Sequence, residues 1–355
     1  MKPNEPIHVA NQFAITGKIT SIAPFGGGHI NDTFLLETDQ KIRYILQKIN
    51  KNVFKEPLHV VNNIEKLLNH FIGIGQDSLK TFPAKDGENY VLDSSEDYWR
   101  MYNFVDGTIT FDVIQNNEQA FEAARAFGTF QMNTLELNAT DFYETIPNFH
   151  HLGKRYEKFD LVREENPKNR VELVKEEIKF ALEHRKIADI TLNFIATGKL
   201  PVRVTHNDAK LNNVLLNAQT GKGVCVIDLD TVMPGLVMYD FGDMARSFAS
   251  PVAEDDNDYS KVQFRKEIFE SLTRGYLSVL SDILSTTEKE NLLLGAKYMT
   301  LIMGLRFLTD YIEGDVYYKT NYDDHNLVRA KNQFALLKSI EDQEVELQEI
   351  ILANV

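Results

Sequence analysis

Thr205-His206-Asn207-Asp208-Ala209-Lys210-Leu211-Asn212-Asn213, with Val226-Ile227-Asp228-Leu229-Asp230 downstream, constrains the fold more than any other part of this chain. Pro201 to Thr205 alternates and is β-branched, Val214-Leu215-Leu216 is a short apolar run, and Gly223 to Ile227 is another. Asn217 to Lys222, between the last two, has turn composition. The segment therefore reads as strand, loop, strand, hairpin turn and strand, with Asp208, Asn213 and Asp228 at strand ends. Antiparallel neighbours lie about 5 Å apart, so a hairpin draws Asn213 and Asp228 together.

These residue types in this order suit phosphoryl transfer. That reaction needs a carboxylate for the acceptor hydroxyl's proton, and hard oxygen ligands for the divalent ions that bridge phosphate oxygens. Asp208 suits the first task. Asn213 offers an amide oxygen and Asp228 a carboxylate for Mg2+, and Asp230, on the same strand face as Asp228 if the strand continues, is a further candidate ligand. Lys210 is placed to meet the migrating phosphate. His206 reads as a structural residue that fixes the loop, because positioning and electrostatics matter more here than a strong base.

His206-Asn207-Asp208 with Asn213 and Ile227-Asp228 resembles the catalytic signature of the aminoglycoside and choline phosphotransferase superfamily. The stretch from Thr205 to Arg246, with Gly304-Leu305-Arg306-Phe307-Leu308-Thr309-Asp310-Tyr311 downstream, is similar to N-acetylhexosamine 1-kinases. The resemblance runs over most of the chain. It implies an α+β, two-lobed protein-kinase-like fold, Asp208 as catalytic base, Asn213 and Asp228 on magnesium, and ATP-dependent formation of a sugar 1-phosphate from N-acetylglucosamine or N-acetylgalactosamine. It also implies that Asp240, in an Asp240-Phe241-Gly242 triplet that spells the protein-kinase magnesium motif, is a scaffold residue holding the catalytic loop by hydrogen bonds.

The first hundred residues read as a small antiparallel-sheet lobe that covers the nucleotide. Ile7 to Phe13 suggests a short helix. Lys18 to Ile22, Thr33 to Leu36 and Ile42 to Ile49 suggest strands, with Gly26, Gly27 and Gly28 in the turn between the first two. Glycines there let backbone amides approach phosphate oxygens. In kinase-like folds the third strand supplies a cation to the phosphates, paired with a Glu on the next helix. Lys48 and Glu65 are the candidates, although the superfamily pattern aligns its basic position with Gln47, and strand alternation lets only one of the two face the cleft. Asp97 to Gly107 reads as a strand running into the connection to the next lobe, where backbone groups of Asn103 and Val105 are candidates to pair with adenine.

Two lobes, 1–103 and 104–355, follow from a length at which one hydrophobic core rarely keeps growing. The second should be mainly helical, catalytic and acceptor-binding, with helical spacing over Glu118 to Met132, Arg170 to Phe194, Val262 to Leu280 and Thr287 to Ile312. Arg306 and Tyr317 within it, and His29 and Asn31 beside the glycine turn, are the acceptor-binding candidates; an Arg306–Asp310 structural pair is the competing reading. Asp243 and Arg246 read as a helix-start ion pair, and Glu254 to Asp258 as a solvated acidic loop.

The net charge of −14 (38 basic against 52 acidic residues) disfavours nucleic acid and anionic membrane as partners. The single cysteine, Cys225, rules out an intrachain disulfide, and neither a start-proximal signal pattern nor eighteen uninterrupted apolar residues occurs. A cytoplasmic location is the simplest expectation. Two alternatives stay open: a kinase for an amine-bearing acceptor such as an aminoglycoside, choline or homoserine, which the acidic loop would favour, and a non-catalytic nucleotide-binding regulator, which would be expected to lack a base or a metal ligand.

Overall fold

The computed structural model describes residues 5–26, 30–76 and 78–354. They form two compact units. The first comprises 1–108 with two later segments, 140–147 and 227–233; the second comprises 109–139, 148–226 and 234–355. The two inserted segments belong to a region that the sequence assigns wholly to the second lobe.

In the first unit, helix α1 (Glu5–Ala10) precedes strands β1 (Ile19–Pro24), β2 (Asp32–Thr38) and β3 (Arg43–Lys48), helix α2 (Pro57–Gly73), and strands β4 (Val91–Leu92) and β5 (Tyr98–Asn103). The strands make one antiparallel sheet in the order β1-β2-β3-β5-β4. Strand alternation puts Leu36, Tyr44, Leu46, Trp99 and Met101 into a core shared with Val9 and Phe13. Helix α2 starts with Pro57, whose missing N–H costs nothing at that position, and buries Val60, Val61, Ile64, Leu67 and Leu68 along one face. On the same face Asn63 ties the two inserted segments in. Its Nδ2 donates to the carbonyls of Tyr143 (2.8 Å) and Val232 (2.9 Å), and its Oδ1 accepts from the Tyr143 N–H (3.0 Å). A single buried amide thus satisfies backbone groups from segments eighty and more residues away.

After β6 (Thr108–Ile109) come α3 (Asn117–Asn133), α4 (Leu152–Glu165), α5 (Lys175–Glu183), α6 (Lys186–Ala196), β7 (Arg203–Thr205), β8 (Val214–Asn217), β9 (Gly223–Val226) and β10 (Met233–Gly235). Helices α7 (Val237–Ala249), α8 (Lys266–Leu280), α9 (Thr286–Glu290), α10 (Leu292–Glu313), α11 (His325–Asp342) and α12 (Glu344–Leu352) complete the chain. Helix α3 is capped by the Asn116 side chain, which accepts from the Gln119 N–H at 2.9 Å. Helices α7 and α10 cross where each has a glycine; a Cβ on Gly242 would stand 2.2 Å from the Gly295 carbonyl oxygen, so only glycine lets the backbones meet. Helix α10 is long and apolar enough to cross a membrane, but 78% of its apolar window is buried inside this unit, and it is the unit's central core helix.

The helices expected over Arg170 to Phe194 and Thr287 to Ile312 are both broken. In the first, the His184 ring takes up the Phe180 carbonyl (2.7 Å) and reaches Glu341 (3.0 Å), which ends α5 before α6 begins. In the second, a Ser285–Glu288 capping box starts the five-residue α9, and α10 restarts at Leu292.

Candidate active site

Strand β7 delivers the chain to a loop held from several sides within the second unit. Buried Asp240 of α7 accepts the backbone N–H of His206 (Oδ2, 2.8 Å) and of Asn207 (Oδ1, 2.7 Å). Asn207 has a φ of 62°, a left-handed conformation that Asn tolerates better than most residues. Its carbonyl accepts from His150 Nε2 at 2.8 Å. Burial pushes the His150 ring down to about 3, so the imidazole is neutral and its proton sits on Nε2. His206 is wholly buried, edge-on to Phe127 (5.4 Å) and Phe130 (5.5 Å), and its Nδ1 accepts the Asp208 N–H at 3.3 Å. It is a structural ring, as its place in the sequence suggested. Gly235 completes the packing, since a Cβ there would lie 2.2 Å from Thr205 Oγ1.

The loop presents Asp208, Lys210 and Asn213 together. Lys210 Nζ lies 2.8 Å from Asp208 Oδ2, and Asn213 Nδ2 donates to the same oxygen (2.9 Å) and to the Asp208 carbonyl (2.8 Å). Burial pushes the Asp208 carboxyl up, but the Lys210 charge and its hydrogen bond outweigh this and hold it below the usual carboxylate range. It is therefore ionised at neutral pH and able to take a proton. Because the Asn213 amide nitrogen is committed to Asp208, its oxygen is the atom left to face a cation.

The acidic scaffold carries its own pH signature. Burial raises Asp240 from 3.8 to about 6. Between those values the folded chain holds a proton that the unfolded chain has lost, so this residue makes stability fall as pH rises from about 4 to about 6, by roughly 3 kcal/mol in all. Asp240→Asn should flatten that part of the profile in urea unfolding followed from pH 4 to pH 7. An unchanged slope would contradict the assignment.

In the first unit, Asp228 sits at φ 61° and ψ 57°, a left-handed conformation at the turn after β9. Non-glycine residues held there cluster at functional sites. The carboxylate of Asp228 and, in the second unit, the amide oxygen of Asn213 are each hard donors of the kind magnesium takes. Asp230, read from the sequence as a further ligand, is corrected. It is 2% exposed, its Oδ2 accepts from Asn31 Nδ2 (2.7 Å), and its Oδ1 is ion-paired with Arg100. The strand does not continue through it, because residues Leu229–Thr231 form a 3-10 turn.

Asn31 is corrected with it. Its Nδ2 holds Asp230 and its Oδ1 accepts the Asn50 N–H (3.0 Å), so it ties the sheet to the 227–233 segment. Gly26 takes a φ of 80° at the end of β1, in open space, while Gly27, Gly28 and His29 lie outside the described residues. The Lys48–Glu65 pair is not formed. Lys48 and Lys51 both reach the carboxylate of Asp97, and half-buried Glu65 of α2 makes no ion pair among the described residues. Gln47 carries no charge and is hydrogen-bonded to Arg100 and Thr33. Asn103 is also corrected as an adenine partner: its N–H donates to the Lys80 carbonyl (3.1 Å), and its side chain bonds Lys80 N–H (2.7 Å) and the Ser78 carbonyl (2.9 Å). Among the described residues the Val105 N–H has no hydrogen-bond partner, while its carbonyl accepts from Thr108 Oγ1 at 2.7 Å.

Arg306 and Tyr317 do come together. The Arg306 guanidinium is ringed by Phe149 (5.2 Å), Tyr318 (5.4 Å) and Tyr317 (5.7 Å), and among the described residues it pairs with no carboxylate. Asp310 is not its partner. That buried carboxylate instead accepts the N–H groups of Val316 (2.9 Å), Tyr317 (2.8 Å) and Tyr318 (3.0 Å) and the Asn326 amide (2.9 Å), which fixes the loop bearing both tyrosines. Sequence reasoning missed Phe149, His150, Arg155 and Tyr318. Arg155 donates to the Phe149 carbonyl (2.8 Å), and burial, with Arg306 nearby, pulls it down to about 10. An arginine inside the weakly amphipathic stretch after His150 gave no periodic signal.

Asp243 and Arg246 pair at 2.7 Å, in the body of α7 rather than at its start. In the acidic loop Glu254 lies 3.3 Å from Arg246, Asp255 3.3 Å from His325 and Asp258 3.1 Å from Lys261, while the Asp256 carboxylate accepts the Asp258 N–H at 2.8 Å. Burial pushes the Cys225 thiol up to about 12, as befits an inert structural cysteine.

Comparison with known proteins bears on this site. The family model described as "Phosphotransferase enzyme family" (APH) matches residues 21–266. Among solved structures, an aminoglycoside phosphotransferase from Alicyclobacillus acidocaldarius superposes with a TM-score of 0.62 at 12% identity, covering 98% of both chains. An amicoumacin kinase in complex with AMP-PNP, Ca2+ and its ligand gives 0.61 at 12% identity, covering 97% of this chain and 94% of that one. Choline kinase from Cryptosporidium parvum gives 0.54 at 16% identity, covering 92% and 91%.

Proposed function

Because the chain belongs to the phosphotransferase enzyme family, we propose that it moves the γ-phosphoryl group of ATP to the anomeric hydroxyl of an N-acetylhexosamine, giving the sugar 1-phosphate and ADP. Asp208, ionised by its pairing with Lys210, takes the hydroxyl proton as the anomeric oxygen bonds to the γ-phosphorus and the β–γ bridging bond breaks. Lys210 then offers its charge to the transferring group. Asn213 and Asp228 would hold magnesium, which supplies charge neutralisation on the phosphate oxygens when bound. Val105 N–H is the backbone handle for adenine that remains available.

The observation that carries the acceptor class is Arg306, a half-buried cation with no carboxylate partner among the described residues, framed by three aromatic rings. A second cation, Arg155, stands nearby, its proton affinity lowered first by burial and then by the Arg306 charge. Such a neighbourhood repels an amine-bearing acceptor and suits a neutral ring with carbonyl and hydroxyl acceptors and an apolar face. Of the four carboxylates in the acidic loop that would have favoured an amine, three lie against Arg246, His325 and Lys261.

The test is a coupled ADP-release assay over N-acetylglucosamine, N-acetylgalactosamine, the parent hexoses, choline, ethanolamine and an aminoglycoside. Phosphorus NMR of the product would follow. Turnover confined to N-acetylhexosamines with phosphate on the anomeric carbon is expected. Turnover of the amines alone would overturn the acceptor assignment, and no ADP release with any substrate would overturn the reaction.

A further inference from the structure

Two oppositely charged groups of the first unit face one small cavity, and each lacks part of its expected complement. Arg100 of β5 is 2% exposed and stands directly across from Gln47 of β3 in the sheet register. Its Nε and Nη2 donate to Gln47 Oε1 (3.2 and 2.9 Å), and Nη2 pairs with Asp230. Its Nη1 is buried with no hydrogen-bond partner among the described residues. A guanidinium N–H buried without an acceptor is a costly arrangement and calls for one. The cavity that Arg100 lines is bounded by Val61, Ile64, Thr81, Asn89 and Glu65, the half-buried α2 carboxylate without an ion pair.

We propose that Arg100 is the positioning cation of the nucleotide-covering unit, shared between Asp230 directly and Glu65 through one water held in this cavity. The charge has shifted from the third strand to the fifth, where neutral Gln47 meets it as a hydrogen-bond partner. Thr81 and Asn89, which also line the cavity, carry polar side chains of the kind a buried water needs. Lys48 does not fill this role, since its carboxylate partner is Asp97.

The consequence reaches the metal-binding turn through short links. Asp230 lies two residues after Asp228, its carboxylate holds Asn31, and its carbonyl accepts from Thr145 Oγ1 at 2.7 Å. Asn50 ties the same corner, donating from Nδ2 to the Ile30 carbonyl (2.9 Å) while its N–H holds Asn31 Oδ1. Removing the Arg100 charge leaves Asp230 buried and uncompensated, and the turn that carries Asp228 must then move to rehydrate it. Glu65 acts at one remove, by holding the guanidinium plane against Asp230.

This rests on the phosphotransferase reading only in giving Asp228 to magnesium, so the test uses nucleotide binding and no acceptor. Isothermal titration of the full chain with AMP-PNP would compare affinities with and without Mg2+ for Glu65→Gln, Arg100→Met, Arg100→Lys and the Glu65→Gln/Arg100→Met double variant. Arg100→Met should weaken magnesium-dependent binding by at least tenfold, and Glu65→Gln by threefold or more. The double variant should be no weaker than Arg100→Met alone, and Arg100→Lys should recover most of the loss. Metal-free AMP-PNP binding should stay at the wild-type value in each, which a merely unfolded or loosened protein would not give. Half-buried Glu65 keeps the proposal testable should Arg100→Met fail to fold. Wild-type magnesium-dependent affinity in Glu65→Gln, or losses that add in the double variant, would overturn it.

Discussion

Asp208→Asn should lower kcat about a hundred- to ten-thousand-fold, the range that a positioned proton acceptor contributes. The substitution keeps the shape of the side chain, so Lys210 and Asn213, which now bond the carboxylate at 2.8 and 2.9 Å, retain a neighbour of the same size. What disappears is the anion. The loop itself is fixed from elsewhere, by Asp240 on two backbone N–H groups and by His150 on the Asn207 carbonyl, so collapse of the site is not the expected route of inactivation. Affinity for AMP-PNP should therefore stay within a few-fold of wild type. Stopped-flow single turnover with the preferred acceptor separates the chemical step from product release. A kcat within tenfold of wild type would remove Asp208 from the base role.

The same loop shows why part of the site was legible in the sequence. His206, Asp208, Lys210 and Asn213 lie within eight residues of one another, and their geometry follows from local bonds such as Asp208 N–H to His206 Nδ1 and Asn213 Nδ2 to the Asp208 carbonyl. Spacing alone can encode contacts of that range. Asp230 and Asn31 were misread because their bond joins residues 199 apart in sequence, which no periodicity records. Lys48 was given the wrong partner for a similar reason: Asp97, just before β5, is brought in by the β3–β5 register and lies far from it along the chain.

Asn103 looked like a free backbone handle because it follows an aromatic strand, yet its side chain folds the Ser78 to Lys80 loop onto itself. Helix α3 and most of α8 were visible as amphipathic stripes. Helix α7, by contrast, is buried on nearly every side, and α11 buries Asn326, Asn332 and Gln333 in its packed face, so neither presents the contrast between faces that marks a surface helix. Asp310 under the Val316 to Tyr318 backbone and Arg155 beside Arg306 sit where apolar residues would be expected. Binary patterning treats such positions as noise.

Asp228→Asn should weaken magnesium-dependent nucleotide binding by at least about a hundredfold, nearly 3 kcal/mol at 25 °C. Asn is the informative replacement because Asp228 occupies a left-handed backbone conformation, φ 61° and ψ 57°, which Asn adopts readily and Ala does not. An Ala variant would add backbone strain of about 1–3 kcal/mol to the loss of the ligand and confuse the two. With Asn the fold should hold, since the segment is anchored by Asn63 on the Val232 carbonyl and by Thr145 on the Asp230 carbonyl, neither of which involves the Asp228 side chain. The neutral amide would still offer an oxygen, so the deficit should shrink as Mg2+ is raised from millimolar to tens of millimolar. Binding of AMP-PNP without metal should not change. Calorimetry across a magnesium series reads both quantities, and a variant with wild-type affinity at low magnesium would take Asp228 out of the metal site.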